Sequence, residues 1–364
     1  MIWQEALKRM GYFHIVSTGA GAGLQQTLWE IPGCSWYLSG CSFPYDQEEQ
    51  ADLLGFMPEH FCSEEAAVDL ASAAYMKAYR FGKKAPIGVG ITATVASERE
   101  HKGDHRAHVC VITEDRVRSA LLTLKKGVGA AQRLEDGKLV DTFALAFMME
   151  TACDVPQAVK DFKDTSALAR ERFFLRPFFT ANGKRLDAMP TNKHMAIMPG
   201  AYNPPHEGHF GTAQNVMDQY GRTVTYEVTA EPPHKEALTV QELLKRAKLL
   251  QGHDRLFTRK EPLYLDKARR YPGIPIVLGA DAMVRMLDPK WGVDLMTLFK
   301  EFRKLETKLL IAGRTIGDKF VTCDDISRDF RKADPHTWGY AQSVMLPIDG
   351  RFDVSSTELR NKLL

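Results

Sequence analysis

The sequence predicts two α/β domains in tandem, and three observations carry that prediction. The chain has 364 residues, enough for two separate cores. Short apolar runs alternate with helical stretches through its first half. After Lys193 a fresh strand–loop–helix series begins, which is the pattern of a parallel sheet. The expected boundaries are residues 1–160, a junction over 161–192 and a second domain over 193–364.

The elements follow in order. The first nine residues have the pattern of an amphipathic helix, unlike a signal peptide. Residues 13–17 (Phe-His-Ile-Val-Ser) predict a buried strand. The small-residue turn Thr18-Gly-Ala-Gly-Ala-Gly23 follows, then a helix over 24–30 that Pro32 and Gly33 break. Residues 63–81 predict a helix whose first turn carries Glu64 and Glu65, as the helix dipole favours. Residues 85–94 and 107–113 predict strands, and 117–125 and 139–152 predict further helices. Between 153 and 193, Pro156, Pro177, Gly183 and Pro190 punctuate the chain, although Phe173, Phe174, Phe178 and Phe179 are too apolar for a free linker.

Composition narrows the function classes. Apolar residues make up 44% and charged residues 26%, as in an ordinary water-soluble globular protein. A net charge of +2 gives no ground for a nucleic-acid or membrane partner. No apolar run approaches the length of a membrane span. The six cysteines are scattered without metal-like or framework spacing, which predicts reduced thiols, no zinc site and a cytoplasmic location.

Four segments of the second half carry chemistry. After the strand-like run ending at Met198 comes Pro199-Gly-Ala-Tyr-Asn-Pro-Pro-His206-Glu-Gly-His209, leading into a helix. Helix N-termini attract anions, Gly208 permits close approach, and imidazoles donate to phosphate oxygens. Two loop histidines are the bland alternative, and a zinc site would want a third ligand that does not stand out. In Glu231-Pro-Pro-His-Lys235 the prolines stiffen a loop, and Lys235 offers a point charge for phosphate, or is merely solvated. The apolar run from Ile276 ends in Gly279-Ala-Asp281, where a carboxylate can grip a ribose hydroxyl; Trp291 downstream either stacks on a heterocycle or fills core. Last, Ser355, Ser356, Thr357, Glu358 and Arg360 form a capped helix start suited to phosphate.

As an ordered set, these segments resemble the nucleotidylyltransferase superfamily, whose sequences carry a His-x-Gly-His turn and a later Ile-Ser-Ser-Thr-x-x-Arg, here Val354 to Arg360. The Pro-Pro-His-Lys loop, the Gly-Ala-Asp strand end and the following tryptophan are similar to bacterial nicotinate mononucleotide adenylyltransferases. The resemblance covers residues 193–364 and implies a Rossmann-like doubly wound parallel sheet. It implies adenylyl transfer, in which a pyridine mononucleotide phosphate attacks the α-phosphorus of ATP and pyrophosphate leaves. His206, His209, Lys235 and Arg360 would be the catalytic groups. Gly200, Ala201, Tyr202, Gly208, Gly279, Asp281, Ser355, Ser356 and Thr357 would join the histidines and Arg360 around ATP. Asn203, Lys235, Tyr264 and Trp291 would face the pyridine mononucleotide, with Mg²⁺ bridging the polyphosphate. The family's usual Phe is Tyr202 here, and its Ser-Tyr-Thr-x-Asp-Thr stretch is reduced to Pro262-Leu-Tyr-Leu-Asp266-Lys, so the acid or amide form of the pyridine is left open.

Residues 14–113 resemble the CinA C-terminal family, some of whose members deamidate nicotinamide mononucleotide with a serine. The likeness runs through Thr18–Gly23, Ile31-Pro-Gly-Cys-Ser-Trp36, Tyr45 and Ala51-Asp-Leu-Leu-Gly55, and implies an α/β domain. Ungapped matching puts Thr18 at the nucleophile position beside Ser17, so Ser17, Thr18 and Tyr45 are the candidate amidase residues. A nucleotide-sensing or structural domain is the alternative there. For the second half, the alternatives are pantetheine phosphate or cytidylyl transfer. Assembly as a homo-oligomer is also compatible with the sequence.

Overall fold

The computed structural model, which describes residues 6–7, 11–81, 85–100, 102–153, 159–233 and 235–352 (of Trp291 the backbone alone), divides into two units. The first comprises Met1–Arg176 with Thr239–Lys248, the second Pro177–Leu238 with Leu249–Leu364. The division at 176/177 falls inside the stretch of turn-forming residues.

The first unit is built on a six-stranded mixed sheet. Its strands are β1 (Tyr12–Thr18), β2 (Leu38–Ser42), β3 (Pro86–Thr94), β4 (Arg106–Ile112), β5 (Val117–Thr123) and β6 (Phe162–Asp164), in the order β2-β1-β3-β4-β5-β6. β1 is parallel to both β2 and β3, and the remaining pairs are antiparallel. Helices α1 (Ala22–Trp29), α2 (Gln47–Leu54), α3 (Glu64–Phe81), α4 (Gly129–Cys153) and α5 (Ser166–Leu175) complete it. Phe13, Ile15, Val89 and Val109 pack with Leu24 and Leu28 of α1 and Phe147 of α4 on one face. Val16 packs with Leu54, Leu70 and Ala74 of α2 and α3 on the other. Each of the valine, leucine, isoleucine and phenylalanine side chains among them contributes about 1.5–3 kcal/mol.

Small residues let α3 lie directly on β3. A Cβ at Gly88 would fall 2.1 Å from the Ala71 carbonyl oxygen, and one at Gly90 2.2 Å from that of Ala67. The sequence reading departs from the structure at 117–125, expected as helix, where the chain forms strand β5. The turn at Thr113–Arg116, closed by the Thr113 N–H to the Arg116 carbonyl at 2.9 Å, sends the chain back along β4. Pairing on both sides then outweighs a short helical pattern.

The second unit carries an eight-stranded sheet. A hairpin of β7 (Phe178–Phe179) and β8 (Arg185–Leu186) lies on its edge, so the apolar Phe178–Phe179 pair is sheet rather than linker. The parallel strands are β9 (Met195–Pro199), β10 (Thr223–Thr229), β11 (Arg255–Thr258), β12 (Ile276–Gly279), β13 (Leu309–Ala312) and β16 (Met345–Ile348). The small pair β14 (Arg314–Ile316) and β15 (Lys319–Val321) stands apart. The order β16-β13-β12-β9-β10-β11 starts at β9, runs outward to β11, then returns to β12 on the other side. That is the doubly wound arrangement, with its reversal between β9 and β12, where Ile276 is opposite Ile197. The helices after β9 are α6 (Glu207–Tyr220), α7 (Val240–Leu249, which as far as Lys248 belongs to the first unit), α8 (Tyr264–Arg270), α9 (Ala280–Leu287), α10 (Leu295–Lys304), α11 (Cys323–Ala333) and α12 (Pro335–Ala341). Among the described residues, no helix is long and apolar enough to cross a membrane.

Candidate functional site

Ligands of a doubly wound sheet bind beyond the carboxyl ends of the strands where the order reverses. Here that crevice lies between the loops following β9 and β12. β9 is buried along Met195, Ala196, Ile197 and Met198, so its last residue delivers the chain to the rim. Tyr202 then turns back: its ring is fully buried, and its hydroxyl donates to the Met198 carbonyl at 2.5 Å. The backbone there is left-handed, with φ 45°, a conformation that costs about 1–3 kcal/mol and persists only where packing holds it. A Cβ on Gly200 would lie 2.6 Å from the Tyr202 ring, so a glycine is required beneath it.

The loop ends at His206, the N-cap of α6, whose backbone is extended. Its N–H donates to Nδ1 of His209 at 3.1 Å. The two imidazoles lie 3.8 Å apart between centroids, and the Tyr202 ring lies 4.8 Å from that of His209. Burial, aided by the charges of His206 and Arg314, pushes His209 down to about 3. His209 is therefore neutral near pH 7, and the bond accepted at Nδ1 assigns its proton to Nε2. That makes it a hydrogen-bond donor at a helix start, where the dipole favours anions. A side chain at 208 would press to 3.1 Å against the His206 ring, so Gly208 is what lets that ring lie over the first turn.

The second wall follows β12. Gly279 caps α9, and a Cβ there would meet Asp281 Oδ1 at 2.6 Å. Asp281 faces Arg285 Nη2 at 3.5 Å and Arg314 Nε at 3.8 Å. Tyr264, at the start of α8, is pushed up to about 12 by burial and then by the charges of Asp281 and Glu227. It is a protonated hydroxyl at neutral pH. Arg314 was missed by the sequence reading. It opens β14 just past β13, and its field reaches both Asp281 and His209. The only local signal was an arginine one glycine past the apolar run 309–312.

Beneath the rim lies a buried ion pair, also missed. Glu227 and Lys267 are 0% and 2% exposed, with Nζ to Oε2 at 3.1 Å. Lys267 also donates to Thr229 Oγ1 at 2.9 Å and the Glu261 carbonyl at 2.5 Å, while the Thr258 hydroxyl donates to Glu227. The Gly200 N–H donates to the Glu227 carbonyl at 2.9 Å, which ties the histidine loop to β10. Removing one partner of such a pair costs about 3–5 kcal/mol, because the other charge is left buried alone.

The other expected residues are placed as follows. Ala201 is exposed and Asn203 half-buried, in the loop whose Asn203–Pro204 bond is cis. Lys235 is exposed in the loop after β10. Trp291 ends a short 3-10 turn past α9. Ser355, Ser356, Thr357 and Arg360 lie outside the described residues. In the first unit, Ser17 is 2% exposed and its hydroxyl has no hydrogen-bond partner among the described residues. Thr18 is half-buried at the end of β1, and the exposed Tyr45 hydroxyl accepts from Arg133 at 3.1 Å. Among the described residues, no three His, Cys, Asp or Glu side chains converge as a metal-holding group.

The family model described as cytidylyltransferase-like matches residues 197–362. This part of the chain is therefore similar to the nucleotidylyltransferase superfamily. Solved structures of CinA superfamily proteins are similar to the N-terminal part of the chain. One from Escherichia coli is 14% identical over 41% of this chain and 86% of its own, with a TM-score of 0.33. Another from Agrobacterium tumefaciens is 18% identical over 40% and 93%, with a TM-score of 0.29. No curated protein matches the sequence.

Proposed function

We propose that the second unit joins ATP to nicotinate or nicotinamide mononucleotide, releasing pyrophosphate and a pyridine dinucleotide. The observation that carries this reading is the hydrogen bond that His209 Nδ1 accepts at the start of α6, in the loop-to-helix segment after β9 where the strand order reverses; burial keeps that imidazole neutral near pH 7. The mononucleotide phosphate attacks the α-phosphorus and no covalent enzyme intermediate forms, so positioning and charge stabilisation are the protein's contribution. His206 and His209 donate to the ATP phosphates, and Gly208 leaves the backbone open to them. Arg314 offsets charge that develops on the leaving pyrophosphate, while Asp281 and Gly279 meet the adenosine ribose. Lys235 with Asn203, Tyr264 and Trp291 serves the acceptor mononucleotide. Ser355, Ser356, Thr357 and Arg360 are assigned to the β- and γ-phosphates. Mg²⁺ would enter on the polyphosphate, keeping most of its waters and neutralising phosphate charge.

The test is incubation with ATP, Mg²⁺ and each mononucleotide, measuring pyrophosphate and dinucleotide. Turnover with pantetheine phosphate or in a cytidylyl system, and with neither pyridine nucleotide, would overturn the pyridine assignment while keeping the superfamily chemistry. His206→Ala is expected to lower turnover by about 10²–10³, the usual loss on removing an aligned donor.

A further inference from the structure

The first unit contains a connected set of polar side chains that neither the histidine loop nor the Ser17–Thr18 turn involves. Lys77 of α3 donates from Nζ to Ser42 Oγ at 2.8 Å. Ser42 Oγ lies 3.0 Å from His14 Nε2, and His14 Nδ1 lies 3.1 Å from Ser39 Oγ. The Ser39 hydroxyl donates to the Phe13 carbonyl at 3.0 Å.

One arrangement of protons satisfies every member. A carbonyl can only accept, so the single hydrogen of Ser39 is committed to Phe13. Ser39 Oγ must then accept from His14 Nδ1–H, which leaves a lone pair on Nε2. The Ser42 hydroxyl therefore points its hydrogen at His14 and presents a lone pair to Lys77. Nucleophile, base and a third group orienting the base all lie within hydrogen-bond reach, which is the arrangement of an activated serine. Burial and the Lys77 charge push His14 down to about 4, so the imidazole is neutral and able to accept. Gly40 is needed for this: with φ +152°, a Cβ there would lie 3.2 Å from His14 Cε1.

The placement suits a reactive group. Ser42 is the last residue of β2, the edge strand of the sheet, and is only partly buried. His14 behind it is 7% exposed. The nucleophile thus stands at the carboxyl end of a parallel strand, with its base shielded from water.

We propose that Ser42 is the nucleophile of an acyl hydrolase centre that cleaves a small ester or carboxamide, with His14 as general base, Ser39 holding His14, and Lys77 facing the developing oxyanion. Ser42 Oγ bonds to the acyl carbon and its proton passes to His14 Nε2. The bond from the acyl carbon to the leaving nitrogen or oxygen breaks, and the leaving group takes that proton. Water then attacks the acyl–Ser42 ester and gives a proton to His14. The Oγ–carbon bond breaks, Ser42 recovers the proton, and the carboxylic acid departs.

The experiment treats the full chain with a fluorophosphonate and maps the adduct by mass spectrometry. The expected result is one adduct, on Ser42. No adduct, or an adduct only on another serine, overturns the proposal on the wild-type protein alone. Ser42→Ala is expected to abolish labelling, and His14→Gln to slow it about tenfold or more. Ser39→Ala, which acts only through His14, is expected to slow it less; circular dichroism of each variant separates lost reactivity from lost fold. Labelling of His14→Gln at the wild-type rate in a folded protein also overturns the assignment. Pyrophosphate release is a separate readout, so this centre and the adenylyl-transfer site succeed or fail independently.

Discussion

Each unit has a strand that passes through a small-residue turn into a helix, and the two turns are used differently. After β1, Gly19 has φ +79° and a Cβ there would lie 2.0 Å from the Ala93 carbonyl oxygen. Gly21, at φ +98°, packs against Ser17 and Ile91, and α1 starts without a side-chain cap. Those glycines are demanded by the protein's own chain. After β9, the turn is filled by the buried ring of Tyr202, and His206 and His209 stand at the helix start. Glycines in a strand-to-helix turn therefore do not by themselves mark a phosphate site; under the proposed function, the hydrogen-bond donors at the start of α6 make the difference.

The largest effect is expected at His209. His209→Ala should reduce dinucleotide formation by about 10²–10³ with the unfolding midpoint little changed; an unaltered rate would put the two turns on the same footing. Arg314→Ala should cost about tenfold or more in kcat/KM for ATP, partly recovered by Arg314→Lys, since a charge survives but the planar fork does not. Measured rates for the two variants that coincide would remove Arg314's geometric role.

The glycines provide the reciprocal contrast. Gly19→Ala should destabilise the first unit by about 1–3 kcal/mol, from strain at positive φ and the clash with Ala93, read in urea unfolding. Gly208→Ala should instead raise the KM for ATP several-fold, because its Cβ displaces the His206 ring, with a smaller stability loss. Equal stability losses would mean that both turns are structural.

The smallest effect is in pH. His209 sits near 3 when folded against 6.5 unfolded, and His14 near 4 against 6.5. Below pH 6.5 the unfolded chain binds protons that the folded chain refuses, so stability should fall as pH drops from 6.5 toward 4. His209→Asn should shallow that acid slope in thermal melts; an unchanged slope would mean that His209 titrates normally.

Much of the fold was legible because its signals are local. Apolar runs became β1, β3, β4, β9 and β12, and the acidic start at Glu64 opens α3. β5 was not legible, since a seven-residue run with mixed periodicity takes its state from the strands beside it. Within the second-unit crevice, His206 and His209 were readable because their spacing and the strand-to-helix handover lie within one short segment.

The sequence by itself determined the alternation of strands and helices, the histidine turn and its place at a helix start. Only the tertiary structure decided that Arg314 would come within reach of Asp281 and His209, that Lys267 would neutralise Glu227, and that His14, Ser39, Ser42 and Lys77 would join in one hydrogen-bonded chain. The physical reason is that helix and strand periodicity record which side of an element is buried. Strand order, which places distant charges at the same end of a sheet, is set by the summed packing of the whole core.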